Sequence, residues 1–342
     1  MIESEPAKNK ILPRLLAGII FGFLILLALM LIGDIRQVSQ QVIHFRWQFF
    51  PLVLLLTLFN YTLRFIKWHY YLGLIGIQNY PLWRSARLFV AGFPLAVTPG
   101  KVGEALKGIW LNKETKAPIA SGVAVVLAER ISDGLAVLVL SASGVIVYPR
   151  YWLAFLSVLL ILSAIVIISQ IRPLALSILN FGAKIPLIRR FIPAFSDFYE
   201  GSYSLFKPKA TLIAVGLGTI SWLGEGIGFY LILIGLGLAP TYQTLSIAVF
   251  VLSFSTVIGA ISTLPGGLGA AEASIAGMLI FLLAIGNDTA VTATLLIRFA
   301  TLWFGVSLGL IVWAFSPEMI GLKQSQSSKV TIDKDKNINV RQ

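Results

Sequence analysis

The chain has 342 residues, 57% of them hydrophobic and 12% charged, with a mean hydropathy of +0.86. A soluble domain carries about twice that charge, so the composition reads as an integral membrane protein. With no cysteine and only His44 and His69, it holds no disulfide framework, thiolate nucleophile or His-built metal site, and no metal or cofactor is expected.

In chain order, Met1–Arg14 is a short arm with Lys8, Lys10 and Arg14, and a first apolar span runs from Leu15 to Gly33. No small-residue cleavage site follows that span, so it reads as a retained anchor rather than a signal peptide. A mildly polar loop, Asp34–Gln48, leads to a second span at about Phe49–Ile77 that contains Arg64, Lys67 and His69. Ser85–Val97 is too short to cross a bilayer, and it ends at Thr98-Pro99-Gly100. The amphipathic run Lys101–Lys113 follows, so residues 85–113 read as a hairpin that dips in and returns. Span three is about Ile119–Val147, with Glu129, Arg130 and Asp133, and span four is Tyr151–Ser169.

Residues 170–210 are rich in proline and basic residues, with aromatic runs such as Phe191 to Tyr203, and read as an interfacial linker between two halves. Span five is about Thr211–Leu238 with Glu225 inside it. A second, deeper hairpin follows, Leu245–Thr263 and Ala270–Ile285 joined at Leu264–Gly269. Span six is about Ala290–Phe315 with Arg298 inside, and the polar tail 316–342 reads as disordered. The expected fold is an all-α polytopic membrane domain over 15–315, with about six full spans and two helix-break hairpins.

Charge placement orients this layout. The net charge of +12 would suit nucleic acid, but the basic residues lie in loops beside apolar spans, which reads instead as contact with anionic lipid. With a cytoplasmic N-terminus, twenty Lys and Arg fall on the cytoplasmic side and three (Arg36, Arg46, Arg150) on the other. That bias places both termini in the cytoplasm of a cell-membrane protein, and it is the same whether or not the second hairpin crosses fully. The halves align as repeat one (about 49–147) and repeat two (about 211–315): Pro99 precedes Arg130 by 31 residues, and Pro265 precedes Arg298 by 33. One hairpin entering from each side makes an inverted repeat, with the site expected at the repeat interface.

The breaks are the most informative stretches. Pro99, Gly100 and Gly103 precede Glu104; Pro265, Gly266, Gly267 and Gly269 precede Glu272. Proline and glycine interrupt a helix, and interrupted backbone at membrane depth survives only where protein or a wet cavity covers it. Charges within spans are costly unless paired or wet, which makes them functional candidates. Arg64, Lys101, Arg130 and Arg298 are candidate donors to a phosphate headgroup, and Glu104, Glu129, Asp133, Glu225 and Glu272 are candidate gating or proton-coupling carboxylates. Each has a plainer reading. Arg130 and Asp133 suit an internal pair that fixes packing; Lys67 reads as snorkelling to the interface; Glu225 and Arg298 suit structural bridges across the repeat interface. Gly218, Gly224, Gly226 and Gly228 read as sites of close helix approach.

Arg64-Phe-Ile-Lys-Trp68, Thr98-Pro-Gly-Lys-Val-Gly-Glu104, Glu129-Arg-Ile-Ser-Asp133 and Leu264-Pro-Gly-Gly-Leu-Gly-Ala-Ala-Glu272, in this order, resemble one family over roughly residues 10–315. It is the transmembrane region of lysylphosphatidylglycerol synthase/flippase, the multiple peptide resistance factor type. The full-length synthase adds a large cytosolic aminoacyltransferase domain. This chain ends about 27 residues after its last span, so the resemblance implies the lipid-translocating part rather than the synthase reaction. The expected function is a flippase or transporter for a phosphate-bearing lipid, with anionic membrane lipids as partners and no nucleic acid. The alternatives are a membrane enzyme of glycosyl or aminoacyl transfer to a lipid, and a subunit that partners such an enzyme.

Overall fold

The computed structural model describes residues 11–98, 103–147, 152–171 and 192–316, and every regular element among them is helical. The first is α1, Ile11–Ile32. The stretch read as a polar loop is then largely α2, Ile35–His44, bent by 97° from the preceding helix. Asp34 explains the difference: its side chain accepts the Arg36 N–H at 3.0 Å and caps the helix.

Proline at the start of α3 (Phe50–Leu74) supplies a pre-set φ where no intrahelical N–H is needed. The first hairpin is α4 (Leu82–Ala91), a tight 3₁₀ turn at Phe93–Val97, and α5 (Leu106–Thr115). Ten residues make a helix of about 15 Å, half a bilayer core, so neither arm crosses. Next come α6 (Ile119–Val147), α7 (Trp152–Gln170) and, in the linker, α8 (Ile192–Leu205). The last is no free surface helix: Tyr199, Ser202 and Leu205 are buried, and its Gly201 lies against Ser121 and Ala124 of α6.

The second half opens with α9 (Pro208–Gly235) and α10 (Tyr242–Ile261), whose Thr241 cap accepts the Thr244 N–H at 3.1 Å. A 3₁₀ turn at Pro265–Gly267 leads into α11 (Ala270–Leu283). The expected sixth span is α12 (Asn287–Arg298), a widened π turn at Phe299–Trp303, and α13 (Phe304–Phe315). Both arms of this hairpin, Tyr242–Ile261 and Pro265–Leu283, are long and apolar enough to cross a membrane, unlike those of the first. Among the described residues five segments meet that condition, and the bent α1–α2 pair makes six. The chain is a multi-pass membrane protein.

The two main apolar clusters each draw on both halves, the first taking Leu268, Val306 and Trp313 from the second half and the second taking Phe50 and Val53 from α3. One gathers Trp68, Tyr71, Phe89, Trp110 and Leu111; the other gathers Phe229, Phe250, Ile275, Leu279 and Leu296. Helix α9 runs between them, against α3, α6 and α10. Its glycines permit the approach. A Cβ on Gly218 would lie 2.8 Å from the Ala136 methyl, and one on Gly226 would lie 2.8 Å from Val249. The two breaks meet near the centre, where Val97 Cγ1 is 3.3 Å from where a Gly266 Cβ would be. Helix α1 lies over that junction, with Gly22 against Trp303 and Leu268.

Candidate functional site

At the second break, Gly266, Gly267 and Gly269 have φ of 61°, 69° and 87°, the left-handed region that glycine enters without strain. The reversal leaves the N–H of Gly269 and the carbonyl of Gly266 outside any helix ladder, and two side chains take them up. Glu272 Oε2 accepts the Gly269 N–H at 2.6 Å, and Arg298 Nη2 donates to the Gly266 carbonyl at 3.0 Å. Arg298 Nε and Glu272 Oε1 then meet at 2.5 Å. One guanidinium thus ties the break to the carboxylate that caps the next helix.

The first break is organised alike where it is described. Pro99, Gly100 and Lys101 lie outside the described residues. On the near side, Thr98 Oγ1 accepts the Gly103 N–H at 3.2 Å while donating to the Leu95 carbonyl at 2.6 Å. Beyond it, Glu104 Oε2 lies 3.3 Å from Arg130 Nε. Glu104 to Arg130 and Glu272 to Arg298 are both separations of 26 residues.

Helix α6 supplies the core of the charge network. Glu129, fully buried, has Arg64 Nη2 at 3.3 Å, Arg130 Nη2 at 3.4 Å and Lys107 Nζ at 3.6 Å. Asp133 has Lys67 Nζ at 2.5 Å and Arg64 Nε at 3.4 Å. Taking an ion out of water costs several kcal/mol, offset only by close partners of opposite charge. Three cations on one buried carboxylate are consistent with that requirement.

Several pairings differ from expectation. Lys67 does not snorkel: it is fully buried and also donates to Ser132 Oγ at 3.1 Å, because α6 brings Ser132 and Asp133 against that face of α3. Asp133 takes Lys67 and Arg64 rather than its own-helix neighbour Arg130, which turns to Glu104 and Glu129. Arg298 pairs inside its own half, with Glu272, rather than with an opposite charge across the repeat interface.

These groups surround one cavity of about 500 Å³. Arg64, Arg130 and Arg298 line it together with Glu104, Asp133 and Glu225, and both breaks contribute to its wall, through Ala96 on one side and Gly266 and Gly267 on the other. Glu129 and Glu272 stand behind the lining. The rest of the wall is mostly apolar, including Phe93, Val137, Leu162, Leu252 and Val257. Two nitrogens of each arginine are engaged by the protein (Arg64 Nε and Nη2, Arg130 Nε and Nη2, Arg298 Nε and Nη2). The third, Nη1, has no protein partner in any of them among the described residues. The Arg64 guanidinium also lies 5.9 Å from the Trp222 ring centre, a cation–π arrangement that fixes its plane. Among the described residues no three imidazole or carboxylate groups converge as metal ligands do.

Sequence reasoning missed Lys107 and Tyr61. Lys107 is buried with its ammonium 5.1 Å from the Trp68 ring centre and 5.0 Å from that of Phe89, and its place one turn after Glu104 was the available signal. Tyr61 precedes Arg64 by one turn, lines the cavity and donates to the Thr301 carbonyl at 2.5 Å, an acceptor in the widened turn of the last span.

Comparison with known proteins agrees in extent with this architecture. A family model described as the lysylphosphatidylglycerol synthase TM region matches residues 16–309. A UPF0104 membrane protein of Methanothermobacter thermautotrophicus is 30% identical over 113 residues, 33% of this chain and 32% of that protein. The match therefore spans about a third of the relative's length.

Proposed function

This chain belongs to the lysylphosphatidylglycerol synthase transmembrane-region family, membrane proteins linked to lipid handling, and on that premise we propose that it is a flippase for a phosphate-bearing lipid. The observation that carries this reading is the convergence of Arg64, Arg130 and Arg298 on one cavity between the two helix breaks, each with a guanidinium nitrogen to spare among the described residues. Charge-assisted hydrogen bonds from guanidinium to phosphate are about twice as strong as neutral ones, and more so away from water. The apolar wall suits the glycerol and first acyl carbons of a lipid, or the first isoprene units of a polyprenyl phosphate. Phospholipids, aminoacyl-phosphatidylglycerol and polyprenyl phosphates share the group recognised.

In this reading the two halves form an inverted repeat that rocks about the fixed site, opening it to each leaflet in turn. An arriving phosphate competes with Glu104 for Arg130 and with Glu272 for Arg298. Since Arg298 also holds the second break through the Gly266 carbonyl, and Arg130 holds the carboxylate that follows the first, headgroup binding loosens the segments that must move. The distribution of basic residues supports a cell-membrane location with both termini cytoplasmic.

Proteoliposomes test the proposal. Purified protein should translocate fluorescent phosphatidylglycerol with no activated donor present, and Arg130→Ala should abolish translocation while still inserting. Turnover of a labelled aminoacyl or glycosyl donor without translocation would favour a membrane transferase instead.

A further inference from the structure

Among the described residues, five cations (Arg64, Lys67, Lys107, Arg130, Arg298) and five carboxylates (Glu104, Glu129, Asp133, Glu225, Glu272) stand in and behind the cavity. Four of the carboxylates each have a cation within 3.6 Å. Glu225 does not. It is 5% exposed, lines the cavity, and makes neither a hydrogen bond nor a close ion pair among the described residues.

The charged groups acting on it are Arg64 from α3, Asp133 from α6 and Arg298 from α12, with Tyr61 also on α3. Helix α10 presents Leu252, Thr256 and Val257 to the same space and no titratable group. The Trp47–Phe49 turn meets α9 at its far end, where Arg46 N–H donates to the Gly235 carbonyl at 3.1 Å, and α8 leads into its first turn. The Tyr61 hydroxyl is committed to Thr301, so it gives Glu225 no proton.

Charge balance then decides what happens when a lipid arrives. With all five carboxylates ionised the cluster is neutral, and a monoanionic headgroup would leave one uncompensated negative charge in a buried space. With Glu225 protonated the cluster carries one positive charge, and the same headgroup restores neutrality. Protonating any of the other four would break an ion pair, whereas protonating Glu225 breaks none among the described residues.

We propose that Glu225 takes up one proton as a monoanionic lipid headgroup enters, so that lipid and proton cross together. The proton comes from water onto a Glu225 carboxylate oxygen and returns to water when the lipid leaves. This rests on the transport reading above and adds its coupling ion and stoichiometry.

Titration calorimetry on the full chain in neutral detergent tests it, with phosphatidylglycerol as probe, in buffers of different ionisation enthalpy between pH 5 and 8. About one proton should be taken up per lipid bound wherever free Glu225 is ionised, and affinity should rise about tenfold per unit fall in pH there. Glu225→Gln, with nearly the same shape, should bind with no proton uptake and no such slope. Wild-type binding without proton uptake, a measurement that needs no variant to fold, overturns the coupling and leaves the headgroup site standing. A Glu225→Gln protein that keeps both the uptake and the slope also overturns it. No binding at any pH removes the transport reading and the coupling together.

Discussion

Glu272 and Arg298 meet at 2.5 Å from positions 26 residues apart, the separation at which Glu104 and Arg130 meet at 3.3 Å, through Nε of the arginine in both cases. The carboxylate after each helix break is thus held by an arginine from the long helical segment that follows. The arrangement occurs twice, on two sides of one cavity, and both arginines keep Nη1 free among the described residues.

The Arg298 clamp should be separable into structure and transport. Arg298→Ala leaves the fully buried Glu272 without its counter-ion, which should cost about 3–5 kcal/mol and lower the melting temperature in detergent. Adding Glu272→Ala should recover most of that stability and none of the translocation. Arg298→Lys keeps the charge but cannot span Glu272 and the Gly266 carbonyl together, so translocation should fall at least about tenfold. Full translocation by the double variant would reduce the pair to packing.

Lys67 should behave as a structural cation. Lys67→Met removes a buried partner of Asp133 and should cost about 3–5 kcal/mol by thermal melting, because Arg64 at 3.4 Å is left as its one close cation among the described residues. Lys67→Met with Asp133→Asn should be closer to wild type. A single variant that melts unchanged would mean Asp133 does not depend on Lys67.

Helix α9 offers a matched comparison. Gly226→Ala places a methyl 2.8 Å from Val249, and Gly218→Ala places one 2.8 Å from Ala136, so each should cost about 1–3 kcal/mol. Nothing lies within 4 Å of a Cβ at Gly216, and Gly216→Ala should be neutral or stabilising by up to about 1 kcal/mol. Equal melting temperatures for all three would contradict the close packing of α9.

The spans and the second break were legible because their signals are local. A Pro-Gly-Gly run needs left-handed backbone at 266, 267 and 269, and a largely apolar stretch of 28 residues such as α9 has few other uses. The breaks' carboxylates were legible as a recurring pattern. Their pairings depend on how helices approach, which no spacing along one helix reveals. Lys67 read as an interface lysine because nothing near it in sequence is acidic, and only α6 supplies Asp133. Arg130 and Asp133 are three apart, yet each finds a better partner on another segment. Helix α2 was hidden by its polar composition, with Asp34 as the one local sign of a helix start.

The most direct test of the account is a structure in nanodiscs containing phosphatidylglycerol. Phosphate density is expected inside the cavity, at hydrogen-bonding distance (about 3 Å) from guanidinium nitrogens of Arg64, Arg130 and Arg298. Headgroup density found only around the outer surface, with the cavity closed to lipid, would contradict it.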